Sequence, residues 1–529
     1  MTRLGSLFGA AALMLGAAIT PLMAKTPPGV LVVAKNIDDI VSLDPGQAYE
    51  FTGGEVVSQI YERLVEYNPL KVDELKPGLA SGWKISDDGK SIVFTLREGS
   101  KFASGNPVRP EDVVFSFRRV IVLNKPPSFI LKQFGWTPDN VEQMVRKTGA
   151  NEVTITVAGN FAPSFVLNAL GARVGSIVDA ETAMKNAKDG DLGNAWLSRN
   201  SAGSNSYRLE TWRPNETVVL VANPNAQHKA KTPQVVFAHV SEAATQRLMI
   251  EAGDADIVRN LGPDQIAAIT GKPGIVVETY PQAAVHFISL NVKHEKLNKP
   301  ALWEAMRYMI DYDGMANTLF KGQMKVHQTF WPVGFPGAVE DRPFKLDIEK
   351  AKGILEKAGI KDLSIAVDMI SSSPFTEIGQ SIQATFGQAG VKVTLVPGAT
   401  TQVITRYRAR QQEAAILYWG PDFMDPHSNA KAFAYNTDNS DAAYQSTTTW
   451  RNSWMPPAAV SAKTMAALVE RDPAKRLDMY RELQREILHN SPWAMTFQAL
   501  AQVGMRDNVK GFVHGATNDL IVYRDVEKK

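Results

Sequence analysis

The chain has 529 residues, 44% hydrophobic and 21% charged, with a formal net charge of +2 and no cysteine. That length exceeds a single core and points to two or three domains, while the near-neutral charge, with no basic block, argues against nucleic acid as a partner. Lack of cysteine excludes disulfides, a thiol nucleophile, thiolate metal sites and a lipid-anchored N-terminal cysteine.

In chain order, Arg3 precedes the apolar run Leu7 to Ile19, which Pro21 breaks before Leu22-Met23-Ala24. This is the layout of a cleavable secretory signal over residues 1–24, with the cut after Ala24, and it predicts an exported, periplasmic protein. A single-span anchor is the rival reading, but the run is short for a bilayer. Val30 to Ala34 is apolar and β-branched, a buried strand. Leu43-Asp44-Pro45 reads as a turn, and Glu55 to Val65 places its apolar residues at helical spacing. Trp83 to Ser86 and Ser91 to Leu96 flank Asp87-Asp88-Gly89-Lys90 as a hairpin. Pro110-Glu111-Asp112 opens an amphipathic helix, with acids where the helix dipole favours them. Val153 to Val157 alternates as a strand, so residues 69 to about 194 read as a small α+β module.

Tyr207 to Trp212 and Glu216 to Ala222 form a second hairpin, turned by Arg213-Pro214-Asn215. Val235 to Val240, Ile275 to Tyr280 and His286 to Asn291 are strands, and Ala243 to Ala252 is a helix. Ala301 to Leu319 carries one apolar stripe and reads as a single helix. Leu363 to Met369, Glu377 to Ala389 and Val391 to Val396 make a βαβ unit, and Ala414 to Leu417 is the next strand. Residues 429–457 are polar, with Thr447-Thr448-Thr449, and read as a long surface excursion. Pro473 to Leu488 is the last long helix. The fold class is therefore α/β, with two α/β lobes and an α+β module inserted in the first.

Tyr418-Trp419-Gly420-Pro421-Asp422-Phe423-Met424-Asp425-Pro426 follows the strand at 414–417. Binding residues of open α/β domains concentrate where strands empty into loops. Two carboxylates beside an aromatic pair and between two prolines make an anionic pocket with a stacking wall, suited to an ammonium group. A Pro/Asp turn is the plain alternative. Catalytic constellations are missing: no His-Glu-x-x-His, no Gly-x-Ser-x-Gly elbow and no phosphate loop. His427 beside Asp425 is the one candidate for a cation, set against an ordinary surface or core histidine. Ser201 to Ser206 is small and polar enough to cradle an anion, but its plain reading is a loop.

Leu43-Asp44-Pro45, Ile60 to Val65, Pro77 to Trp83, Ser86 to Gly89, Phe94 to Gly99, Gly105 to Val108, Glu111 to Ser116, Tyr207-Arg208-Leu209 with Trp212, Gly253 to Ile257 and Ala351 to Gly359 together resemble the peptide-type periplasmic solute-binding proteins of ABC importers. The resemblance implies a periplasmic binding protein-like fold with a hinge. It implies a discontinuous domain I at residues 25–69, 195–278 and 500–529, domain II at 70–194 and domain III at 279–499. It further implies a monomer without a cofactor, which closes on a peptide or other amine-bearing solute and delivers it to inner-membrane permease subunits, the ATPase being a separate chain. Trp419, Asp422, Asp425 and Pro426 stand in the pattern of dipeptide and oligopeptide binders, which assigns the ligand ammonium to Asp422. Tyr49, Tyr418 and Trp419 are expected beside it, and Asp425-Pro426 is expected to shape the loop. Thr376 and Glu377 stand where dipeptide binders carry the arginine that holds the carboxylate. Ile416 stands where oligopeptide binders carry a basic residue. Arg406 and Arg408, with Arg410, are the nearby cations that would substitute, against their plain reading as solvated surface. An opine, a metal chelate or an oligosaccharide on the same fold, and a cleft hydrolase, remain the alternatives.

Overall fold

The computed structural model describes residues 26–443 and 445–529; the expected signal at 1–24 lies outside them. Among the described residues, no helix is long and apolar enough to cross a membrane. An eleven-stranded sheet joins two lobes. At one end, Ser364–Ile370 runs parallel to both Lys392–Gly398 and Ala414–Trp419. The helix Phe375–Gln388 makes the crossover between the first two. Buried on both faces, such strands need no polar alternation, and Ala414 to Leu417 are accordingly buried throughout. At the other end, Val30–Lys35 lies parallel to Gln234–His239 and Ile257–Val258. The hairpin Tyr207–Arg213/Thr217–Ala222 completes that edge.

Between these ends run the two longest strands, Ile275–Leu290 and Trp493–Arg506, paired antiparallel from Ile275↔Arg506 to Ser289↔Trp493. The sequence suggests two separate strands at 275–280 and 286–291. The chain instead makes one, with its register shifting between Pro281 and Val285. Proline has no N–H to give the ladder, so the pairing yields there and the strand bends on. These strands pass from one lobe to the other, and the irregularity falls between the two halves of the sheet.

The α+β module is a separate antiparallel sheet in the order Ala80–Ile85, Ser91–Leu96, Glu152–Thr156, Val145–Lys147. The helix Pro110–Leu123 packs on it through Phe117, whose ring lies 5.7 Å from that of Trp136, in one core with Phe94 and Phe165. Gly89, with φ of 70°, turns its first hairpin, the left-handed backbone glycine adopts at little cost.

Four local expectations are corrected. The helix read from Glu55 to Val65 runs Phe51–Ile60, because Val65 is taken by the strand Val65–Asn68. At its start Gly54 packs so closely on Arg173 that a Cβ would lie 2.0 Å from the guanidinium. The stripe at 301–319 is cut into Pro300–Tyr308 and Tyr312–Asn317, because the Asp311 carboxylate caps the second helix by accepting from Gly314 N at 3.0 Å. Residues 429–457 are no surface excursion. They include most of the helix Pro426–Ala434 and all of Thr448–Arg451, and they bury Phe433, Thr448, Thr449, Trp450 and Trp454. Finally, Arg410 is buried and bound to Asp441 Oδ1 at 2.9 Å, so it is not a solvated arginine.

Candidate functional site

The strand Ala414–Trp419 ends at the mouth of the cleft between the lobes, and Gly420-Pro421 breaks it there. The loop that follows is anchored on both sides. Asp425 caps the helix Pro426–Ala434 by accepting from His427 N at 2.9 Å. Its two oxygens also take a bidentate fork from Arg476, at 2.9 and 2.7 Å. Burial alone would raise the Asp425 acid, but the Arg476 charge overrides this and holds it below the ordinary range. Phe423 plugs into the core of the inserted module, edge-on to Phe165 at 5.6 Å. Asp425 therefore shapes the loop, and Asp422, held between these two anchors, is left to face the cleft.

Asp422 receives the Tyr49 hydroxyl on Oδ1 at 2.8 Å, across 373 residues of chain. Its backbone N–H donates to Ser428 Oγ at 2.9 Å. Both side chains keep some contact with water, Tyr49 being 37% exposed, yet protein atoms enclose them as the walls of a cleft. Desolvation raises the Asp422 acid above its ordinary value; the Tyr49 bond and the positive charges of Arg173, Arg451 and Lys431 oppose it. Tyr49 is pushed up in turn, first by burial and then by Asp422.

Aromatic rings complete the cleft. Tyr418 stacks on Phe51 of the opposite lobe at 6.1 Å and leans on His286 and Phe375 at 5.9 Å each. Phe51 is 46% exposed. Phe129 stands edge-on to Tyr49 at 6.3 Å. Trp419 is half-buried, edge-on to Phe433 at 5.9 Å, and its indole N–H has no partner among the described residues.

Of the sequence-derived site residues, Asp422 and Tyr49 touch, and Tyr418 and Trp419 lie on the same strand end. Arg406 and Arg408 stand elsewhere. Arg406 forks onto Asp368 at 2.9 and 3.2 Å. It borders a 510 Å³ hollow shared with Pro397, Gly398, Thr401 and Thr405. Arg408 is exposed. Neither is among the cations acting most strongly on Asp422. Three that are, Arg173, Lys431 and Arg451, were missed. The sequence cue for Arg451 is its place between Trp450 and Trp454, a density of tryptophan unusual for a surface segment. His427 is buried, 3.1 Å from the Tyr480 hydroxyl, and desolvation lowers its pKa to about 3. No group of three or more potential metal ligands occurs among the described residues. Gly203, in the small polar loop, packs on the backbone: a Cβ would lie 2.1 Å from Ile60 O.

Two α/β lobes joined by crossing strands, with an enclosed polar and aromatic cleft between them, define a solute-binding protein of the hinged type. The family model described as bacterial extracellular solute-binding proteins, family 5 Middle, matches residues 74–441, and the chain belongs to this family. It is 28% identical over 499 residues to the probable D,D-dipeptide-binding periplasmic protein DdpA of Escherichia coli K12, covering 93% of this chain and 92% of that one. Heme-binding protein A of Haemophilus influenzae is 25% identical over 485 residues, 86% and 84% of the two chains. Among solved structures, the periplasmic binding protein DppA of Helicobacter pylori, in complex with the peptide STSA, superposes with a TM-score of 0.80 at 22% identity, over 95% of this chain and 98% of that one.

Proposed function

We propose that this protein captures short peptides or other amine-bearing solutes in the periplasm and presents the closed, loaded form to the permease of an ABC importer. The observation that carries this reading is the enclosed Asp422 carboxylate, held between the lobes with one oxygen on Tyr49 and the other free of protein donors among the described residues. A desolvated carboxylate selects a cation strongly, because the alternative is an uncompensated buried charge. Tyr418, Phe51 and Trp419 then offer flat apolar surface to side chains of varied shape. The peptide-binding names of relatives such as DdpA support the same ligand class. Closure would turn about the crossing at Pro281 to Val285, where the two long strands lose their register.

The test is native mass spectrometry of protein released gently from its own periplasm, followed by titration with free peptides of two to four residues. A retained peptide with micromolar or tighter affinity is expected. A co-purifying metal chelate, haem or sugar would refute the peptide assignment, and cleavage of the added peptides would refute a pure binding role.

A further inference from the structure

Arg451 ends the short helix Thr448–Arg451, whose cap is Thr447. Its side chain lies between the Tyr407 ring, 5.7 Å from the guanidinium carbon, and the Trp419 ring, 5.8 Å away. The residue is only 9% exposed. No hydrogen bond or ion pair holds its guanidinium among the described residues, and its Nε is buried without a partner. The other buried arginines each make at least one hydrogen bond through the guanidinium, including Arg63, which donates to Ser58 Oγ at 2.7 Å although its Nε too has no partner among the described residues. Arg119 forks onto Asp44 and Arg476 onto Asp425, Arg410 reaches Asp441, and Arg307 donates to the carbonyls of Trp303, Ser491 and Trp493. That is the rule for a charge taken out of water; Arg451 breaks it, and it does so within electrostatic reach of the Asp422 carboxylate.

We infer that Arg451 is the anion seat of the cleft and receives the ligand's carboxylate while Asp422 holds its ammonium, so that the bound species is a short zwitterion. This rests on the proposed role of Asp422. Two other cations act on Asp422, and each is less suited. Arg173 is already engaged by Glu50 O at 2.8 Å and by Asp519 at 3.3 Å. Lys431 is exposed over much of its surface, and burial of its ammonium lowers its pKa; an ammonium is a point charge, whereas a planar guanidinium fork matches a carboxylate with two parallel bonds. Burial and the charge of Arg408 draw the Arg451 pKa down, while Tyr407, Tyr49 and Asp422 draw it back. Trp419 also separates two tasks on one strand end. Its ring neighbours the anion seat, and Asp422, three residues on, is the cation seat. A ligand that satisfies both carries an ammonium and a carboxylate, as an amino acid or a short peptide does.

The test uses the full mature chain and a pool of free dipeptides built from Ala, Leu, Glu, Lys and Phe. The dipeptide that native mass spectrometry finds retained is titrated by calorimetry as the free acid, as its C-terminal amide and as its N-acetyl form. Wild type is expected to bind the amide about 100-fold more weakly than the acid. R451Q should bind acid and amide alike, and R451K should recover part of the preference, which a purely structural role would not give. Equal affinity of wild type for acid and amide overturns the anion seat, and needs no variant to fold. Equal affinity for the acetylated and free amine, with the acid preference intact, overturns the Asp422 reading alone. Retention of no dipeptide overturns both.

Discussion

Replacing Asp422 with asparagine is the sharpest perturbation of the proposed site. An ammonium nitrogen about 3 Å from a carboxylate oxygen gains roughly 5 kcal/mol at the effective dielectric of about 20 that suits protein sites. The nearby positive charges of Arg173, Arg451 and Lys431 weaken that attraction, which leaves about 3–5 kcal/mol, the range found when one partner of a desolvated pair is removed. Asparagine keeps the shape, the Ser428 bond to the backbone and a carbonyl for Tyr49, so the fold should be unaffected. Affinity for an amine ligand should therefore fall by two to nearly four powers of ten, at about 1.36 kcal/mol per tenfold. Calorimetric titration with the retained dipeptide, alongside circular dichroism and thermal melting, measures this directly. The wild-type pH profile adds a second readout. Because desolvation holds the Asp422 acid above its ordinary 3.8, affinity should decline as pH falls from neutral through that raised value, and D422N should lack this decline. A D422N protein that folds normally and binds as wild type would refute the ammonium anchor.

Three further outcomes follow from the structure. Y49F removes a hydrogen bond to a charged group that also bridges the lobes; at about 1.5 kcal/mol or more for such a bond, binding should weaken roughly tenfold, mostly through faster dissociation seen by stopped flow. D425A strands the buried Arg476 guanidinium and should cost about 3–5 kcal/mol in urea unfolding, while D425N, which keeps the helix cap, should be milder. In the first lobe Glu55 is fully buried among Lys35 at 2.7 Å, Arg259 at 2.5 Å and the Tyr523 hydroxyl at 2.6 Å. Burial pushes its acid up, but the charges of Arg259 and Lys35 prevail and bring it to about 2, from 4.5. Its contribution to stability is therefore present above pH 4.5 and is lost as pH falls through about 2, so urea midpoints should drop across that window in wild type and change less in E55Q.

Much of the scaffold was legible in the residues themselves. The hairpin around Gly89, the βαβ unit at 363–396 and the helix opened by Pro110 all emerged at or near their expected places, since turn chemistry and side-chain periodicity act over a few neighbours. Errors arose where a single capping side chain or a remote segment decided the outcome. Asp311 interrupts an unbroken apolar stripe with a side-chain cap, Pro281 bends a strand that pairing with 493–506 then carries on, and packing by Phe433, Trp450 and Trp454 draws a polar stretch into the core.

The site divides along the same line. The sequence by itself placed Asp422 at the end of a buried strand, between residues that stop a strand, because those choices depend on local sterics. Only the tertiary structure brought Tyr49 to Asp422 across 373 residues, took Arg406 away to Asp368 and buried Arg451 with no ion pair among the described residues. Desolvation and electrostatic partnership are sums over atoms supplied by distant parts of the chain, and so they exist only once the chain has folded.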